Sequence, residues 1–241
     1  MNVSVLANTL IGSEIIKIGN EVNEMKRKGA QIANLTIGDF DPSIFPIPKA
    51  LEEAIIRAYR DGHTNYPPAD GILALVADRY QLNYTINDIL VAGGSRPLIY
   101  ALYLALIDPG DKVLYPAPSW NNNHYCHLSS ANGVMIETKV ENNFMPTAAQ
   151  LKPHLKGATL LALCSPLNPT GTMFTQQQLE EICDAVIEEN KSRKADEKPL
   201  YIMYDQIYSL LTFGKEHVNP VSLRPALKDY VIYIDGISKC L

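Results

Sequence analysis

Apolar residues recur at two periods along this chain, and the change of period divides it. Within 13–28, Ile15, Ile18, Val22 and Met25 fall three and four apart, the spacing that lines up one stripe of an α-helix. Ser13 is the candidate N-cap, Gly29 the candidate end, and Lys26-Arg27-Lys28 suits the last turn, where positive charge meets the negative end of the helix dipole. A short strand is predicted over 33–39, ending at Gly38. A proline-laden connection over 41–48 follows, since Pro42, Pro46 and Pro48 forbid continuous helix. Pro48 suits the first position of a helix running to Arg60 and closed by Asp61-Gly62. Turn residues fill 63–71 around a single tyrosine, Tyr66, and another helix is predicted over 71–81.

From there short β-branched and aromatic runs alternate with helical periods. Strands are predicted at 89–92, 112–115, 134–139, 159–164, 200–204 and 231–234, with helices at 96–107, 121–131 and 175–190. The helix over 175–190 opens on Thr175 with Gln178 three later, the spacing of a capping box, and carries Leu179, Ile182, Cys183, Val186 and Ile187 on one stripe. Strands alternating with helices predict an α/β fold with a mostly parallel sheet covered on both faces.

Composition narrows the classes. The chain has 241 residues, 46% hydrophobic and 20% charged, an ordinary globular balance large enough for a substantial core. A net charge of -5 with no long basic run argues against nucleic acid as a partner. Cys126, Cys164, Cys183 and Cys240 are widely spaced and form no C-x-x-C pair, which predicts reduced thiols in a cytoplasmic protein, neither bridges nor zinc ligands. No basic stretch and apolar run of leader type opens the chain and no window approaches eighteen apolar residues, so secretion and membrane insertion are not expected.

Candidate chemistry collects after the strands, at the end where open α/β sheets bind ligands. Gly93-Gly94-Ser95 opens a helix and either holds a phosphate on backbone N–H groups and a hydroxyl or is simply a tight turn. Trp120, the single tryptophan, lies beside Pro116 and Pro118, placed to stack on a flat ring, with core packing as the ordinary alternative. Ser165-Pro-Leu-Asn168-Pro-Thr-Gly171 spends two prolines and a glycine on presenting Asn168, whose amide can donate to a ligand oxygen. Asp205 ends a buried run, with Tyr208 three residues on, and a carboxylate there calls for a cation. No His or Cys cluster suggests a metal, and a protonated ring nitrogen fits better. The final strand stops at Asp235-Gly236 and presents Lys239.

Taken together and in order, these residues resemble the class I aminotransferases of the pyridoxal-phosphate fold type I superfamily, from about Asn34 to Leu241. The resemblance implies the three-layer large domain of that fold over 48–241, ending after the Schiff-base lysine, with 1–47 as an N-terminal small-domain and dimer-arm segment. It implies that Lys239 is that lysine, that Asp205 keeps the pyridine nitrogen protonated, and that Tyr208 and Asn168 donate to the ring's phenolic oxygen. Trp120 matches the ring-stacking aromatic, which with Asn168 also lines the substrate site, and Gly94 and Ser95 match the phosphate turn. Gly38 matches the backbone approaching the substrate carboxylate, and Tyr66 the tyrosine that reaches the phosphate of a neighbouring subunit. A homodimer, ping-pong exchange of an amino group between an amino acid and a 2-oxo acid, and a place in amino-acid biosynthesis follow from the resemblance. The bonds before Pro118 and Pro169 are candidates for cis.

The family pattern continues beyond the lysine with a further, antiparallel strand and a small domain carrying two arginines, for the phosphate and the substrate carboxylate. The expectation is therefore a partial enzyme with two apolar edges open, poorly soluble or inactive as given. A lyase of the same fold and a non-catalytic binding module are the alternatives.

Overall fold

Each strand of the sheet is followed by a crossover long enough to bring the chain back to the same edge, so all pair in parallel. The computed structural model describes residues 4–12, 14–36, 41–63 and 70–239. Its helices and strands run α1 (Val5–Asn8), α2 (Glu14–Arg27), α3 (Lys49–Arg60), α4 (Asp70–Tyr80), α5 (Ser95–Leu106), β1 (Lys112–Ala117), α6 (Asn122–Leu128), β2 (Asn132–Glu137), α7 (Ala148–Leu155), β3 (Ala158–Cys164), α8 (Gln176–Ser192), β4 (Tyr201–Asp205), α9 (Pro220–Leu223) and β5 (Val231–Ile234). The sheet order is β2-β1-β3-β4-β5.

The central strand shows why the fold has three layers. All of β3 is buried, and its side chains alternate: Leu161 and Leu163 pack with Leu151, Leu155, Leu179 and Ile182 of α7 and α8, while Leu160 and Ala162 pack with Ile99 and Tyr103 of α5 and Tyr125 of α6. Each fully buried leucine contributes about 1.5–3 kcal/mol. The α8 capping box forms as its spacing predicts: Gln178 N donates to Thr175 Oγ1 at 3.2 Å, and Thr175 N donates to Gln178 Oε1 at 3.0 Å. Helix α7 was not predicted, because Pro153 lies within it; Thr147 and Gln150 carry the same box signal at its start.

Several expectations fail for identifiable reasons. Residues 89–92 form no strand: β5 ends the sheet, no neighbour pairs with them, and Leu90 and Val91 stay exposed. Residues 33–36 are likewise not strand, and 37–40, including Gly38, lie outside the described residues. Pro48 is the N-cap of α3 instead of its first residue, with ψ at 128°. Helix α6 stops at Leu128, short of 131, because the Ser129 hydroxyl donates back to the Tyr125 carbonyl at 2.9 Å and Ser130 turns to a φ of 56°.

Packing divides the chain into two compact units, the described residues of 1–10 with 70–240 and those of 11–69. The second contains α2 and α3, whose apolar residues Ile18, Met25, Ile55 and Ile56 are exposed. The first contains the sheet. Cys126, Cys164 and Cys183 are buried free thiols, and no helix among the described residues is long and apolar enough to cross a membrane.

Candidate active site

Because the strands are parallel, their C-terminal ends share one rim, and the sheet order decides which loops are neighbours. After β1 comes the loop with the cis Ala117-Pro118 bond that carries Trp120. Its partly buried ring lies under the Arg96 guanidinium, 5.5 Å from the ring centroid, so the start of α5 sits at this rim. Gly94, the N-cap of α5, has a φ of 132°, a conformation that only glycine takes without strain, and Ser95 is the first helical residue.

After β3 the chain makes cis bonds at Ser165-Pro166 and Asn168-Pro169 and closes on itself, Leu167 N donating to Thr172 O at 2.8 Å and Gly171 N to Leu167 O at 2.7 Å. The Pro166 bond was not anticipated; those before Pro118 and Pro169 were. This rigid loop aims Asn168 at the next strand end, where its Nδ2 donates to the Tyr208 hydroxyl at 3.2 Å.

At the end of β4, Asp205 lies in register between Cys164 and Ile234, and its Oδ1 accepts from Ile207 N at 3.1 Å. Burial pushes its pKa up to about 6; the Ile207 N–H opposes this, and the nearby Asp235 charge adds to it. Tyr208 is likewise raised, by burial first. The Tyr125 hydroxyl is raised by burial as well, and feels the charges of both Arg96 and Asp205. The turn after β5, the strand next to β4, leads to Lys239, which is partly buried.

The structure therefore brings Asn168 and Tyr208 into contact, sets Asp205 between the β3 and β5 loops, and places Gly94, Ser95 and Trp120 together where α5 begins. Gly38 and Tyr66 lie outside the described residues.

The sequence model described as "Aminotransferase class I and II" matches residues 30–241. The chain belongs to this family. An aspartate aminotransferase of Bacillus sp. (strain YM-2) is 32% identical over 96% of this chain and 58% of its own length. Among solved structures, the aspartate aminotransferase of Rhizobium meliloti superposes with a TM-score of 0.87 at 24% identity, covering 99% of this chain and 60% of that one. The alanine aminotransferase of Pyrococcus furiosus gives 0.83 at 26%, covering 98% and 60%. This family member thus spans about three-fifths of the length of the relatives it matches.

Sequence reading of this family member passed over three groups that meet at the rim. Arg96 lies in the first turn of α5, where a cation runs against the helix dipole, and that misplaced charge was the available signal. Asp235 was read only as a turn residue, and Tyr80, which reaches it from α4, had no local signal at all.

Proposed function

We propose that this chain carries the pyridoxal-phosphate site of an enzyme that transfers an amino group from an amino acid to a 2-oxo acid. The observation that carries the reading is the contact between Asn168 and Tyr208 beside an Asp205 whose pKa is raised to about 6. The surroundings of that carboxylate oppose its charge, the condition in which a cation brought to it gains most, and a protonated pyridine nitrogen is such a cation. The donors fit the rest of the cofactor: an amide and a phenol for a ring oxygen, a glycine turn and the Ser95 hydroxyl at a helix N-terminus for a phosphate, and an indole for the ring face. When bound, pyridoxal phosphate supplies an electron sink for the substrate α-carbon.

In this reading Asp205 holds the proton on the ring nitrogen. Asn168 Nδ2 and the Tyr208 hydroxyl orient the ring, Gly94 and Ser95 anchor the phosphate, and Trp120 covers one ring face and keeps water away. Lys239 would hold the cofactor aldehyde through Nζ, and once the substrate's amino group has replaced it there, the freed amine would take and return the substrate α-proton as general base. Gly38 faces the substrate carboxylate, and Tyr66 reaches the site of a partner in a homodimer. Division into an N-terminal segment 1–47 and a cofactor domain 48–241, and a cytoplasmic location, belong to the same proposal. The names of the relatives make aspartate the first donor to assay.

The test is borohydride reduction of the chain with added pyridoxal phosphate, followed by peptide mapping. The reading expects an adduct at Lys239, none there in Lys239→Ala, and a visible absorbance band that bleaches on adding an amino acid. An adduct that never bleaches with any amino acid supports the binding-module alternative. A band that is replaced by release of a substrate side-chain fragment supports the lyase.

A further inference from the structure

Asp235 directly follows β5 and begins the turn to Lys239, and it is held far more elaborately than a turn residue requires. Its Oδ2 accepts from the Tyr80 hydroxyl at 2.7 Å and from Gln206 Nε2 at 3.0 Å, while its Oδ1 accepts from Gly236 N at 2.7 Å. Behind these donors stands a second layer. Ser209 Oγ lies 2.8 Å from the Tyr80 oxygen, and His217 Nε2 lies 3.2 Å from Gln206 Oε1. With Tyr80 and Gln206 both donating to Asp235, the hydroxyl of Ser209 donates to Tyr80 and the Nε2–H tautomer of His217 donates to Gln206. Burial holds His217 neutral by lowering its pKa to about 4.

Every hydrogen bond in this group runs toward one carboxylate. Gln206, Ser209 and Tyr80 are buried, and Tyr80 comes from a helix 155 residues earlier in the chain. Pairing of β4 with β5 does not need the network, since Gln206 N already donates to Ile234 O at 2.8 Å. The turn itself is pressed on the β4 rim: a Cβ on Gly236 would lie 2.9 Å from Ile207 Cδ1, and Ile207 is the residue whose N–H holds Asp205.

We propose that Asp235 is a positioning residue of this site: gripped by Tyr80, Gln206 and the Gly236 amide, it locks the turn that bears Lys239 against the strand end that bears Asp205. The proposal rests on the assignment of Lys239 as the cofactor lysine. It gives the polar cluster a task that neither core packing nor the β-ladder demands, and it explains why the contacts to Asp235 come from α4 and β4 together.

The test uses the 241-residue chain without cofactor, as wild type, Asp235→Ala and Tyr80→Phe. Amide hydrogen exchange is followed at residues 236–239, and in parallel the rate of borohydride-trapped modification by pyridoxal phosphate at Lys239 is measured against that at the exposed Lys17. Loss of a charge-assisted clamp should speed exchange at 236–239 and slow the Lys239 reaction by roughly tenfold in Asp235→Ala, with a smaller change in the same direction in Tyr80→Phe. Lys17 should react at its original rate. If both variants only lower the unfolding temperature, with exchange in the turn and the Lys239 to Lys17 rate ratio unchanged, the network is structural and the proposal is overturned. Should Asp235→Ala fail to fold, Tyr80→Phe decides alone. Absence of any adduct at Lys239 in the wild type removes the assignment of that lysine and leaves the exchange arm to decide whether Asp235 locks the turn.

Discussion

The middle of the sheet and its C-terminal rim are made by the same strands, yet they obey opposite rules. Inside, Leu160, Leu161 and Ile202 have no accessible surface and pack in the two apolar clusters that flank the sheet. A few residues on, β4 ends in Asp205, Ser165 and Asp235 directly follow β3 and β5, and the loops add Asn168, Gln206 and Tyr208. Burial stabilises the first group. For Asp205 burial works against the charged form, raising its pKa. The lesson is that the sheet body supplies stability while the rim holds a carboxylate, Asp205, whose charged form burial opposes.

Substitutions can break this contrast or sharpen it. Leu161→Ala in the body should have the largest effect, a loss of about 2–5 kcal/mol of unfolding free energy in denaturant titration. Asp205→Asn at the rim should act with the opposite sign. Buried neutral His217, with its pKa lowered to about 4, adds a rise in stability over the same range, but a folded-state pKa above the ordinary carboxylate value means the unfolded chain ionises Asp205 first as pH rises, so Asp205 itself contributes a fall between about pH 4 and pH 6 that stays level above. The variant should abolish that slope and gain about 1–3 kcal/mol at pH 7, allowing for partial solvent screening, while losing its grip on pyridoxal phosphate. Equal stability of the two proteins at pH 4 and pH 7 would sink this account of Asp205.

Thr175→Ala tests the body again through a single helix cap, with an expected loss of about 0.5–2 kcal/mol in thermal or chemical unfolding. Tyr208→Phe should produce the smallest stability change, within about 0.5 kcal/mol, because its hydroxyl is at the partly exposed rim. Its signature should instead be weaker retention of pyridoxal phosphate on dialysis, followed by absorbance. A Tyr208→Phe protein that unfolds far more readily and keeps its cofactor unchanged would erase the distinction between rim and body.

Much of the body was legible because its signals are local. Strand β5 was predicted at its observed bounds, β3 and α8 to within a residue or two, and the Thr175–Gln178 box closed as its spacing required. Asn168 and Tyr208 were singled out separately from loop chemistry, and their contact across 40 residues agrees with a shared target. The failed strand at 89–92 has a cause outside its own segment. Leu90 and Val91 have strand-like side chains, but a strand exists only when a neighbour pairs with it. Helix α2 formed where its apolar stripe predicted, yet Ile18 and Met25 of that stripe stayed exposed.

The sequence by itself determined the element types, the residues that stand at each strand end and the rigidity of the loops after β1 and β3, because periodicity, capping and proline geometry act over a few residues. Only the tertiary structure decided that β3 lies at the centre, that Asp205 is the acid whose pKa is raised, and that Tyr80 crosses 155 residues to hold Asp235. Burial and long-range hydrogen bonds depend on which distant segments are packed together, and no short window of sequence contains that information.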